Sequence, residues 1–134
     1  MAVATPTPPA ALRSPASSAD LESALRTAHL FVEAMGNGDE DLMNSYRVPA
    51  RRTDSMLAVD TPPPNEFQNI QCHPAPGIPW EVYPMPAPGA TAVVVWCAWD
   101  ISEDWEGFSA GGWSMYVWLA REPPNPWLVV DFGN

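Results

Sequence analysis

The sequence predicts an α+β domain in which helices come first and an antiparallel sheet follows, with the helices packed on one face of that sheet. Three observations support this. Apolar residues recur at helical spacing over residues 18–35. The C-terminal half is rich in Val and Trp in short runs. Pro and Gly clusters separate those runs and mark boundaries, because Pro lacks an N–H donor and fixes its own φ.

Residues 1–17 are rich in Pro, Ala, Ser and Thr and poor in apolar bulk. Such a segment cannot offset the entropy of ordering, so a disordered tail is expected there. Residues 18–134 then form a single domain. Ser17 and Ser18 are N-cap candidates for a first helix, and Asp20 and Glu22 place negative charge in its first turn. Leu21, Leu25, Ala28, Val32 and Met35 form its stripe, widened by Ala24 and Phe31. Gly36-Asn37-Gly38 stops it, since Gly and Asn tolerate the left-handed conformation of a helix C-terminus. Asp39 begins a shorter helix with Leu42, Met43 and Tyr46 on its apolar side, ended by Pro49. Pro62-Pro63-Pro64 breaks the chain again.

Strands are expected over Phe67–His73, Trp80–Met85, Thr91–Ile101, Trp113–Arg121 and Trp127–Phe132. Pro79 and Pro84 make the second an edge or irregular strand. The third, TAVVVWCAWDI, is apolar on both parities, as a strand covered on both faces would be. Pro123-Pro124-Asn125-Pro126 provides the hairpin between the last two.

Composition excludes several functions. Sixteen acids stand against six Arg and no Lys, for a net charge of −10. That field repels phosphate backbones, so nucleic-acid binding is not expected. The basic cluster Arg47, Arg51, Arg52 reads as a solvated helix end. No apolar run approaches the length needed to span a bilayer, so no membrane insertion is expected. The initiating Met favours a cytoplasmic product; the Pro/Ala/Thr-rich start would also suit a secreted or envelope-attached mature form after leader removal. Cys72 and Cys97 are open between one disulfide, closing a loop of about 25 residues, and two buried free thiols. Neither CxxC nor HxxxH spacing occurs, and no metal or cofactor is expected.

Three pieces, AHLFVEAMGNGDEDLMNSYRV with its Gly38-Asp39 turn, YVWLARE and PWLVVDFG, resemble the NTF2-like superfamily, also called SnoaL-like or cystatin-like. The resemblance covers roughly half of the chain. It implies a strongly bent sheet wrapped as a cone around the helices, often with a hydrophobic pocket inside, and frequent homodimers through the sheet's outer face. Members include ketosteroid isomerases, dehydratases, epoxide hydrolases and polyketide cyclases, along with many non-catalytic binding domains, so fold alone assigns no activity.

An acid–base enzyme of this kind needs an ionisable group in a dry pocket. The candidates are His29, Asp100 and Asp131, with Asp54 reading as a turn residue. His29 sits at the border of the first helix's stripe. Asp100 shares parity with Val94, Trp96 and Ala98, and is either a pocket carboxylate or a solvated acid at a strand end. Asp131 poses the same question. No motif surrounds them, so none receives a role from the resemblance. Candidate ligand or partner contacts are Tyr46, Trp96 and Trp118, plus Trp105 and Phe108 in the acidic, Gly-rich segment 102–112. Strand aromatics could line an apolar ligand pocket or fill the space beneath the helices. Two functions are therefore expected: a non-catalytic interaction or ligand-binding module, dimeric as the resemblance implies, or a small cofactor-free isomerase, dehydratase or cyclase acting on an apolar substrate.

Overall fold

A computed structural model describes residues 13–14, 17–51, 67–80, 89–104 and 109–133. The protein is α+β: a long helix lies across an open sheet of four antiparallel strands. The elements in chain order are β1 (Arg13–Ser14), α1 (Ser18–Gly36), α2 (Glu40–Ser45), β2 (Gln68–Pro74), β3 (Ala90–Ile101), β4 (Gly111–Arg121) and β5 (Leu128–Gly133). A single 3-10 turn, Pro49–Arg51, follows α2.

Ser17 starts α1 by a reciprocal arrangement. Its hydroxyl accepts from the Asp20 N–H at 3.1 Å, and the Asp20 carboxylate accepts from the Ser17 N–H at 3.2 Å. Two otherwise orphaned donors are thereby satisfied. At the other end, the Gly38 N–H donates to Met35 O and the Asp39 N–H to Ala34 O, both at 3.0 Å. That pattern needs a left-handed residue after the cap, and Gly38 supplies it with φ 68°. Gly36 serves differently: a Cβ there would stand 2.7 Å from Phe67 Cγ, so its missing side chain is what admits Phe67.

The buried face of α1 centres on Ala24, Ala28, Phe31 and Val32, with Leu21, Leu25 and Met35 at its margins. The small side chains let the helix approach the sheet closely. In α2 only Met43 is fully buried; Leu42, expected inward, is 41% exposed. With six residues the helix presents one inward turn, and Met43 and Tyr46 fill it.

β3 is the centre of the sheet. It pairs with β4 without interruption from Thr91↔Arg121 to Ile101↔Gly111. On its other edge it pairs with β2 antiparallel and, at its start, with β1 in parallel. Arg13–Ser14 fall within the segment expected to be a disordered tail, yet they pair with Ala90 and Thr91. Cys72 and Cys97 are direct cross-strand partners and form a disulfide that ties β2 to β3. Of the expected strand Trp80–Met85, only Trp80 is described, and it is not in a strand.

Arg47 departs from the expected solvated cluster. It is 3% exposed, makes a parallel bridge with Val129 and holds its guanidinium 5.7 Å from the Phe132 ring centroid. The backbone explains this: the Val48 N–H donates to Val129 O and the Val129 N–H to Tyr46 O, drawing residues 46–48 onto the β5 edge. The side chains of Arg51 and Arg52 lie outside the described residues.

Two clusters of buried side chains flank the sheet. On the α1 side, Val93, Val95, Cys97, Trp99 and Ile101 of β3 meet Met115, Val117 and Leu119 of β4, together with the helix. On the outer side, Trp80 is fully buried against Val94, Trp118 and Val130. β3 is thus apolar on both parities because both its faces are covered, the outer cover by described residues extending over part of its length.

Candidate functional site

Beyond the Trp80 cover, the outer face of β3 and β4 carries Trp96, Ala98 and Asp100 beside Ser114 and Tyr116, in accord with strand alternation. These residues are partly accessible rather than core. The register of β2 against β3 shifts here: Gln68 faces Asp100, but Gln71 faces Ala98. One extra residue is accommodated in β2 as a bulge, which re-aims side chains. Asn69 within the bulge has φ 55°. Asn is among the few non-Gly residues that tolerate this region.

Its side chain then reaches across the strand pair. Asn69 Nδ2 donates to Asp100 Oδ2 at 2.8 Å. Opposite Asp100 on β4 stands Gly112, where a Cβ would lie 3.5 Å from Asp100 Oδ1. An open depression of about 360 Å³ lies here, lined by Asn69, Gln71, Trp96, Asp100, Gly112 and Ser114 among others. His73 borders Trp96, their rings near-parallel at 6.3 Å between centroids.

The other candidates lie elsewhere. His29 is on α1, 43% exposed, with Nε2 3.9 Å from Glu33 Oε2 one turn on. It borders a separate open depression with Leu25, Arg26 and Cys72. Asp131 faces Trp118 across β4 and β5, and its Oδ1 accepts from the Phe132 N–H at 2.8 Å. Tyr46 packs against the helix-side core. Trp118 belongs to the outer cluster, its Nε1 donating to Pro79 O at 3.3 Å. His29, Asp100 and Asp131 therefore do not converge on one cavity. Asp54, Trp105 and Phe108 lie outside the described residues. The flanks of that last segment are held by Asp104, whose Oδ1 accepts from the Ala110 N–H, and by Trp113, whose Nε1 donates to Ser109 O, each at 2.8 Å.

Sequence reasoning singled out Asp100 and Trp96 but missed Asn69, Gln71, Gly112 and Ser114. A weak signal was present: Asn69 and Gln71 are polar inside a strand, and Gly112 is a Gly next to a Gly at a strand start. Only the bulge and the register bring these four beside Asp100.

Chemically, the depression offers a carboxylate, amide and hydroxyl oxygens and an indole, with no Lys or Arg among the described residues that line it. It can accept hydrogen bonds and attract positive charge. Among the described residues, no three of His, Cys, Asp and Glu stand where they could share a metal ion. No helix of the described residues is long and apolar enough to cross a membrane. In comparisons with family models, curated proteins and solved structures, nothing matches the chain.

Proposed function

We propose that this chain is a non-catalytic interaction module of the NTF2-like kind, which takes an extended peptide segment on the outer face of its sheet. The observation that carries the reading is the contrast between the two faces. The α1 side is filled by Phe31, Val95, Val117 and Leu119, all fully buried. Among the described residues, the outer side is sealed at the Trp80 end, and Trp96 and Tyr116 are partly accessible beside polar neighbours. Aromatic side chains with a polar rim are the usual anchors of protein recognition. The acid–base alternative requires an ionisable group in a dry pocket. The separate, solvent-bordering positions of His29, Asp100 and Asp131 lend it no support.

Selection from a random peptide library displayed on phage tests the reading. Recovered peptides should bind the wild-type domain and lose affinity on Trp96→Ala or Tyr116→Ala, while Glu33→Gln on the exposed side of α1 leaves binding unchanged. Light scattering, run in parallel, distinguishes a second copy as the occupant: a mass twice 14.6 kDa that reverts on Tyr116→Asp would replace the peptide by a homodimer. Peptides indifferent to both outer-face variants would overturn the proposal.

A further inference from the structure

The depression beside Asp100 has a chemistry more specific than a general docking face. Its charged lining group is a carboxylate whose orientation is fixed, since Asn69 donates to Oδ2 at 2.8 Å from a left-handed backbone position. Asn69 is thereby held in a conformation that few residues adopt, its amide restrains the carboxylate, and Trp96 lines the same depression. Gln71 and Ser114 add oxygens that accept hydrogen bonds. Among the described residues, no cationic side chain lines the space to neutralise Asp100. The whole molecule carries a net charge of −10, so the surrounding field also favours a positively charged visitor.

We infer that the depression is a subsite for a cationic side chain, and specifically for an arginine of the bound peptide. This rests on the module reading above and names its partner as a basic peptide. A guanidinium fits the lining better than an ammonium does. Its planar edge presents paired donors that match the two oxygens of a carboxylate, and the aromatic lining supplied by Trp96 also favours a cation. It has five N–H donors and no acceptor, which matches a lining dominated by acceptor oxygens. Gly112 is part of the specificity: with no side chain there, the approach to Asp100 Oδ1 stays open.

The experiment titrates acetyl-Gly-Ser-Arg-Ser-Gly-amide into the isotope-labelled full chain and follows amide and indole N–H shifts. The matched peptide with citrulline in place of arginine keeps the shape and removes the charge. The expected result is a set of shifts centred on Asn69, Trp96, Asp100 and Gly112. The arginine peptide should bind about tenfold more tightly than the citrulline peptide, the scale of a charge-assisted hydrogen bond. That preference should shrink as salt is raised.

Asp100→Asn should abolish the preference for arginine. Gly112→Val is a second variant, at a position whose backbone, unlike that of Gly111 at φ 129°, suits an ordinary residue. It should weaken the arginine peptide by filling the approach to Asp100. Equal binding of the two peptides at the outer face, or no effect of Asp100→Asn, overturns the arginine assignment and leaves the module reading standing. Shifts confined to other surfaces, together with library peptides indifferent to Trp96, overturn both.

Discussion

Asp20 Oδ1 and Arg121 Nη1 lie 3.2 Å apart, joining the first turn of α1 to the end of β4 across 101 residues of sequence. Asp20 is also the residue that completes the N-terminal cap with Ser17, and Arg121 Nε donates to Asn125 O at 2.9 Å. One carboxylate thus links helix start, strand end and the Pro-rich hairpin. The Ser17 N–H and hydroxyl, and after them the Arg121 guanidinium, hold the Asp20 carboxyl below its ordinary value of 3.8.

A carboxylate favoured in its charged form by the fold contributes stability above its unfolded value, and loses it as pH falls through the folded one. The contribution of Asp20 should therefore be constant at neutral pH and fade in the acid range below the ordinary carboxylate value. Arg121→Gln removes one of the causes. It should lower stability modestly at neutral pH, since a partly exposed pair is screened, and so raise the pH of acid unfolding read from the helical circular-dichroism signal; the difference between the two proteins should shrink below the ordinary carboxylate value. An acid transition that is identical in the two proteins would contradict this account.

Gly36→Ala inverts the usual rule for helices. Alanine has the higher helix propensity and would ordinarily stabilise a helical glycine site. Here the new methyl would meet Phe67 at 2.7–2.9 Å, including the backbone N. The variant should lose about 2 kcal/mol in urea unfolding, as overpacked sites do. Gly36→Ala should cost less in a Phe67→Ala background than in the wild type, but still cost something, because the contacts with Cβ and the backbone N of residue 67 remain.

Reducing the Cys72–Cys97 bridge, or replacing both residues by Ala, should lower stability by roughly 3 kcal/mol through the freer unfolded chain. Mass spectrometry of the intact chain after alkylation, with and without reductant, checks the bridge itself. The oxidised protein should take no label. Because Cys97 is fully buried between α1 and the sheet, labelling after reduction should be slower at Cys97 than at the partly exposed Cys72.

Trp80→Ala should cost about 3–5 kcal/mol, since a fully buried Trp leaves a large cavity over Val94, Trp118 and Val130. Trp80→Phe should cost much less. The Trp80 indole N–H has no hydrogen-bond partner among the described residues, so its loss removes little beyond packing area. Thermal unfolding of the two variants provides the comparison.

Much of the local structure was legible in the residues. Ser17 and Asp20 announced the start of α1, and Gly38 its end. The apolar run at Thr91–Ile101 announced a strand covered on both faces. Such features depend on neighbours within a turn or a strand, so periodicity and side-chain chemistry suffice to find them. Arg47 shows the limit: a charged residue beside Arg51 and Arg52 reads as solvated, and only its bridge to Val129 explains its burial.

The candidate site shows the same division more sharply. The sequence by itself determined that Asp100 and Trp96 share a strand face, because alternation is a property of the backbone. It also determined that the helices precede the four antiparallel strands, and it determined the acidic field. The tertiary structure decided which face that was, that Trp80 covers one end of it, and that the two cysteines meet. It also decided that an extra residue in β2 turns Asn69 onto Asp100. Those outcomes depend on pairing register and on packing between segments dozens of residues apart, which no local spacing encodes.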